Sequence, residues 1–294
     1  MFRSLLAAGL VLGLSVSAVH AQEPLRQAVG AYVQPSNAER LAVLTRQLDA
    51  AGLAYEIQTF EGGGRAGPMQ GSNVVVTLGE SERDILLTAH YDAVVLPSGE
   101  MAHGVVDNAA STVAVIEAAR ALRDRALNHR VVVIFFDQEE LGLIGARRWI
   151  EANGTDRVAA VVNSDVAAFG DTLMYGENNG ARSAFILTAL RAECGERALT
   201  CIGYPAYPPS DDRAFIAAGV PVVSIGFQRR IGAHQMWLAF NGGEDNGLAE
   251  GFVPEVFRLI HSEGDRLEAV EPETVALAAE VYASLIARLD AALR

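Results

Sequence analysis

The sequence predicts a single α/β domain, with a predominantly parallel mixed β-sheet sandwiched between α-helices. Three observations carry this expectation. Strand-like and helix-like segments alternate along the chain, as in successive βα units. The runs ILLTAH (85–90), VVVIFFD (131–137) and AAVVNSD (159–165) are short, almost continuously apolar and rich in branched residues, the mark of strands buried on both faces. About 270 residues remain once a leader is set aside, which suits one large domain, and no repeat, low-complexity tract or long linker divides them.

The elements follow in chain order. Met1-Phe2-Arg3 is a short basic start, and the apolar run SLLAAGLVLGLSVSAV ends near the small residues Val19 and Ala21. That layout predicts a secretory signal over residues 1–21, with the mature chain beginning near Gln22. The run is too short to span a bilayer comfortably and lacks a stop-transfer flank. A secreted or periplasmic protein, free of the membrane after cleavage, is expected. Residues 37–51 have helical periodicity, with Leu41, Leu44 and Leu48 on one face and Gly52 as the stop. YEIQTF and SNVVVTLG read as strands near a sheet edge. The three buried runs follow, with helices over 108–123 and 141–151 between them. PVVSIGF reads as a later core strand, and residues 273–293 as a long amphipathic helix.

Charge and cysteine usage narrow the function classes. The formal charge is −13, or about −14 without Arg3, which argues against nucleic acid as a partner. An acidic balance also fits a site crowded with carboxylates that expect cations. Cys194 and Cys201 are the chain's two cysteines; in an oxidising compartment a close pair favours a disulfide over two free thiols. Two motif matches carry no function. GGGRAG at 62–67 fits G-x-G-x-x-G, but Pro68 and then a strand follow it, so no helix N-terminus faces a pyrophosphate. Asn153-Gly154-Thr155 is a sequon better explained as a helix-ending glycine turn.

The chemistry gathers at strand ends. ILLTAH runs into His90-Tyr91-Asp92, VVVIFFD into Gln138-Glu139-Glu140, and AAVVNSD closes on Asp165. Open α/β sheets bind ligands beyond the carboxyl ends of their strands, so three strands aim imidazole and carboxylate groups at one rim. Asp107 opens the helix DNAASTVAVIEAAR, where it reads either as an N-cap or as a carboxylate able to bridge two cations.

With these residues in view, HYD (90–92), VDNAAST (106–112), DQEELGLIGARRWI (137–150), NSD (163–165) and IHSEGDRLEAV (260–270) together resemble the successive signatures of the M28 zinc aminopeptidases. The resemblance covers roughly residues 37–293. It implies two Zn2+ per chain, one on His90 and Asp165, the other on Glu140 and His261, with Asp107 bridging both. It also implies that Asp92 accepts the proton of the second His90 nitrogen. Glu139 would be the general base for a metal-activated water attacking the N-terminal bond of peptides with a free N-terminus.

YPPSDDRAF (207–215) is similar to the family's S-D-H-x-x-F segment, with Asp212 in place of the histidine. The contribution of that imidazole is absent, and Asp211 reads as structural or supporting. Tyr207 stands where some members place an oxyanion-stabilising tyrosine beyond a disulfide; the alternative is an aromatic residue lining the cleft. His103, His129 and His234 fall outside the ligand positions. Loops after Asp165 and around residues 228–246 should form the pocket walls.

Three rival readings share this scaffold. A glutaminyl cyclase would use one zinc, but Asp107-Asn108-Ala109 with an intact Glu139-Glu140 pair favours the two-metal hydrolase. A carboxypeptidase or dipeptidase of related type usually carries an inserted dimerisation domain, for which 165–261 has no room. A non-catalytic binding module would be missing ligands, and here all five are present. No G-x-S-x-G elbow or H-E-x-x-H helix occurs.

Overall fold

A computed structural model describes residues 23–293; the expected leader, residues 1–21, lies outside them. The described chain enters through two helices, α1 (residues 23–30) and α2 (Asn37–Ala50). Helix α2 starts at Ser36, whose hydroxyl accepts from the Glu39 N–H at 3.2 Å and donates to the Glu39 carboxylate at 2.7 Å, a reciprocal cap. Its buried face carries Val43, Leu44 and Leu48, together with Arg40. The expected stop at Gly52 holds, with φ +67°.

Strands β1 (Tyr55–Gly62) and β2 (Met69–Leu78) pair antiparallel at one edge of the sheet, where the two mixed-polarity runs place them. The GGGRAG segment is the connection between them. Next come β3 (Asp84–His90), β4 (Arg130–Phe136) and β5 (Val158–Ser164). They lie side by side and parallel, with β3 in the middle. Helices α3 (Ala110–Leu122) and α4 (Ile144–Asn153) connect them. Both helices begin later than the periodicity suggests. Asp107 and Asn108 have non-helical dihedrals, and Asn108 instead donates from Nδ2 to Ser164 O at 3.0 Å and accepts from Val166 N at 3.1 Å. Residues 139–143 form a turn in which the Gly142 and Leu143 N–H groups both donate to Glu139 O at 2.8 Å.

The second half adds β6 (Thr172–Gly176), α5 (Ala184–Glu196), β7 (Cys201–Tyr204), α6 (Asp212–Ala217) and β8 (Val222–Gln228). After them come α7 (Arg230–Asn241), α8 (Glu255–Leu259) and α9 (Pro272–Ala292). The eight strands form one sheet in the order β1-β2-β4-β3-β5-β8-β6-β7. The run β4-β3-β5-β8 and the pair β6-β7 are parallel, whereas β1-β2, β2-β4 and β8-β6 are antiparallel. The expected disulfide joins Cys194 to Cys201, tying α5 to the edge strand β7.

Alternation along the strands explains the layering. In β4, Val131, Val133 and Phe135 join the larger core under α2, α3, α5 and α9. Val132, Ile134 and Phe136 join the smaller one with Trp149 of α4 and Phe215 of α6. Each such side chain contributes about 1.5–3 kcal/mol by leaving water. Helix α9 closes the larger face with Val275, Val281, Tyr282, Leu285 and Leu289 fully buried. Because central strands are filled on both faces, functional side chains are left to their ends.

Candidate metal centre

The carboxyl ends of β4, β3 and β5 lie next to one another, and each delivers a polar group. His90 is the last residue of β3, Glu139 and Glu140 lie in the turn after β4, and Asp165 follows β5. Two further groups reach the same rim from loops. Asp107 is held by the Asp265 carboxylate, which accepts from the N–H groups of Val105, Val106 and Asp107 at 2.9, 2.7 and 3.2 Å. His261 follows α8 with φ +54°.

These six side chains form two groups whose candidate ligand atoms lie within 4.8 Å of one another: His90, Glu139 and Asp165, and Asp107, Glu140 and His261. Asp107 faces both. Its Oδ1 lies 3.1 Å from His90 Nε2 and its Oδ2 3.3 Å from His261 Nε2. Glu140 Oε2 is 2.9 Å from His261 Nε2, and Asp165 Oδ1 is 3.8 Å from His90 Nε2. Asp92 lies behind them, with Oδ1 3.3 Å from His90 Nδ1. Its carboxylate also accepts from the Glu139 and Glu140 N–H groups at 3.2 Å each. One carboxylate thus faces the imidazole and holds the glutamate turn, a second task that the sequence did not reveal.

The donor set fits a metal. Asp107 Oδ1, Glu140 Oε1 and Asp165 Oδ1 are buried without a hydrogen bond, whereas nearly all buried polar atoms in proteins have one. Converging carboxylate oxygens and imidazole nitrogens form the mixed shell that zinc accepts. Electrostatics agree. Burial pulls His90 down, but Glu139, then Asp107, Asp165 and Asp92, hold it well above its ordinary value. Hydrogen bonds to Asp107 and Glu140 push His261 up to about 11. Burial pushes Asp107 up, yet His261 and His90 outweigh it and leave the carboxyl well below the usual range. Burial raises Glu140 to about 7 and lifts Glu139 well above the ordinary carboxylate value. The imidazoles hold protons against these carboxylates, a place that divalent cations can take.

The model of peptidase family M28 matches residues 73–286. The chain belongs to this family. Its fold is similar to that of a Zn-dependent exopeptidase from Parabacteroides distasonis, at 17% identity, with 90% of this chain and 97% of that one covered and a TM-score of 0.70. A zinc aminopeptidase from Bacillus subtilis is similar at 20% identity over 74% of this chain and 49% of that one, TM-score 0.59. The glutaminyl cyclase of Porphyromonas gingivalis is similar at 17% over 90% and 97%, TM-score 0.68. A vacuolar membrane protease of Schizosaccharomyces japonicus is 32% identical over 122 residues, 40% of this chain and 14% of that relative's length.

Beside the two groups, this M28 domain has a cavity of about 290 Å3. Met174, Met236, Phe240, Val256, Phe257 and Ile260 make its wall apolar, and Gln228 adds an amide whose Oε1 is buried without a partner. Residues 228–246 do supply wall residues, but 230–241 are the helix α7 and not a loop; Met236 and Phe240 of the wall lie one helical turn apart on it. Tyr207 lines the cavity, packed edge-on against Tyr204 at 5.5 Å, and burial raises its hydroxyl well above the ordinary value. Asp211 is wholly buried, with neither oxygen partnered. Asp212 accepts from Ser210 N at 3.0 Å and Asn178 Nδ2 at 3.3 Å, and burial raises it to about 6. His103, His129 and His234 stay outside both groups; His129 pairs with Asp290 at 3.1 Å.

Proposed function

We propose that the chain is a di-zinc aminopeptidase that removes N-terminal residues from peptides. The observation that carries this reading is Asp107, which turns one oxygen to each of two imidazole–carboxylate groups. His90 and Asp165 would hold one zinc and Glu140 and His261 the other, with Asp107 shared. Bound zinc supplies Lewis-acid polarisation of the scissile carbonyl and acidifies water toward neutral pH.

The remaining work falls to the chain. Glu139, which lines the cavity beside the ligand groups, takes a proton from water on its carboxylate and returns it to the leaving amine. Asp92 orients His90 and the glutamate turn. The Tyr207 hydroxyl, kept protonated by burial, donates to the carbonyl oxygen as negative charge builds there. The carboxylate-rich rim receives the substrate α-ammonium, and the apolar cavity takes the N-terminal side chain and excludes water. Residues 1–21 would direct export, in keeping with the Cys194–Cys201 disulfide.

A second reading is supported by the glutaminyl cyclases among structures of matching length. Zinc content and hydrolysis of an aminoacyl p-nitroanilide panel, with and without chelator, separate the two. About two zincs per chain and chelator-sensitive cleavage of free but not acetylated amines are expected. One zinc, no cleavage, and ammonia release from N-terminal glutamine would establish the cyclase.

A further inference from the structure

Arg40 is the one fully buried arginine among the described residues, and no carboxylate is hydrogen-bonded to it. Its guanidinium donates instead to four backbone carbonyls: Nε to Tyr91 O at 2.6 Å, Nη1 to Tyr32 O at 2.8 Å and His103 O at 2.9 Å, and Nη2 to Gly104 O at 3.0 Å. A buried cation is unfavourable unless it is well compensated, and here carbonyl dipoles and the Tyr32 ring, 5.4 Å away, are the nearest compensation.

The acceptors explain why such a group belongs there. Tyr91 lies between His90 and Asp92, and Gly104 opens the Val105–Ala109 segment that carries Asp107. No strand pairing joins these two stretches to each other at this point. Arg40 bridges them through their backbone carbonyls, and Asn37, three residues earlier, accepts from Ala93 N at 3.0 Å. Gly104 has φ +57°, and a Cβ there would lie 2.6 Å from Ala93 Cβ and 3.0 Å from Arg40 Nη1, so the crowded backbone beside the guanidinium favours glycine. Helix α2 precedes the stretch matched to the family, residues 73–286, yet it reaches the centre.

We propose that Arg40 is a positioning residue that sets the spacing of His90 and Asp107 for metal binding. This rests on the reading that those two side chains hold zinc. Charge and geometry act with opposite sign here. A cation beside the site repels zinc, so deleting it would tighten binding if charge were its only effect. A clamp predicts the reverse.

The test measures zinc affinity by competition with graded chelators for the wild type, Arg40→Met, Arg40→Lys and Leu44→Ala. The last removes a fully buried leucine of the same helix that makes none of the clamp's hydrogen bonds. Arg40→Met should bind zinc 10–100-fold more weakly, the range found when groups supporting metal ligands are removed. Arg40→Lys keeps the charge but loses the planar fork, and should recover only part of that loss. Leu44→Ala should melt lower yet bind zinc like the wild type. Wild-type affinity in both Arg40 variants, tighter binding in Arg40→Met, or equal weakening in Leu44→Ala would overturn the proposal. A wild type that takes up no zinc would instead overturn the metal reading beneath it.

Discussion

The two ways in which this molecule delivers its candidate ligands differ in rigidity. His90, Glu140 and Asp165 follow neighbouring parallel strands, where ladder hydrogen bonds and two packed faces fix the backbone. Asp107 and His261 come from loops, and each needs its own fastening. Asp107 has one through Asp265 and another through Asn108, and His90 and Asp107 share Arg40. His261 has little beyond its charge partners, and 53% of its side chain is exposed, against 1% for His90. The strands bring several backbones to one rim, and polar groups behind it complete the aim: Asp92 for the glutamate turn, Asp265 and Arg40 for the stretch that carries Asp107.

The largest expected effect tests the chemistry that both halves serve. Glu139→Gln should lower kcat by about 10²–10⁴-fold, the usual worth of a general base, with zinc content unchanged; loss of zinc would make Glu139 a ligand instead. Next, His261→Ala should keep one zinc per chain and nearly the wild-type melting temperature. His90→Ala removes a buried group that faces Asp92, Asp107 and Asp165 and should lower both zinc content and the melting temperature. The opposite ranking would break the contrast between sheet and loop.

A smaller effect is expected behind the loop. Asp265→Asn weakens three backbone hydrogen bonds to a carboxylate, each charge-assisted and worth about 1.5–3 kcal/mol. Some of that strength survives in the amide, so denaturant titration should show a loss of about 1–3 kcal/mol. An effect of similar size, visible only as a pH dependence, concerns Asp212, which burial raises to about 6. A carboxyl whose folded value lies above its unfolded value of 3.8 gives stability that is full at lower pH and lost as pH rises toward 6. Wild type should therefore lose up to about 3 kcal/mol relative to Asp212→Asn between pH 4 and pH 7. A constant difference across that window would show that Asp212 stays charged in the fold.

The same contrast explains what could be read in advance. His90, Glu139, Glu140 and Asp165 were legible because continuous apolar runs mark buried strands, and strand order then brings their ends together. Asp107 reads from the residues alone as either a helix cap or a bridging carboxylate, and His261 depended on resemblance, since periodicity does not encode the path of a loop. Arg40 was invisible: on an amphipathic helix an arginine reads as solvated, and three of its four carbonyl partners are 51 or more residues away. Strands β6 and β7 are only five and four residues long, too short to stand out from their surroundings. The wall of the cavity lies in the expected stretch, residues 228–246, but on a helix and not a loop, with Met236 and Phe240 one turn apart.

The small cavity beside the six ligand-type side chains has a consequence for the protein's surroundings. A space of about 290 Å3 lies at the small end of ligand pockets and is of side-chain size. Under the aminopeptidase reading such a site trims free chain ends, so its throughput depends on endoproteases that generate them.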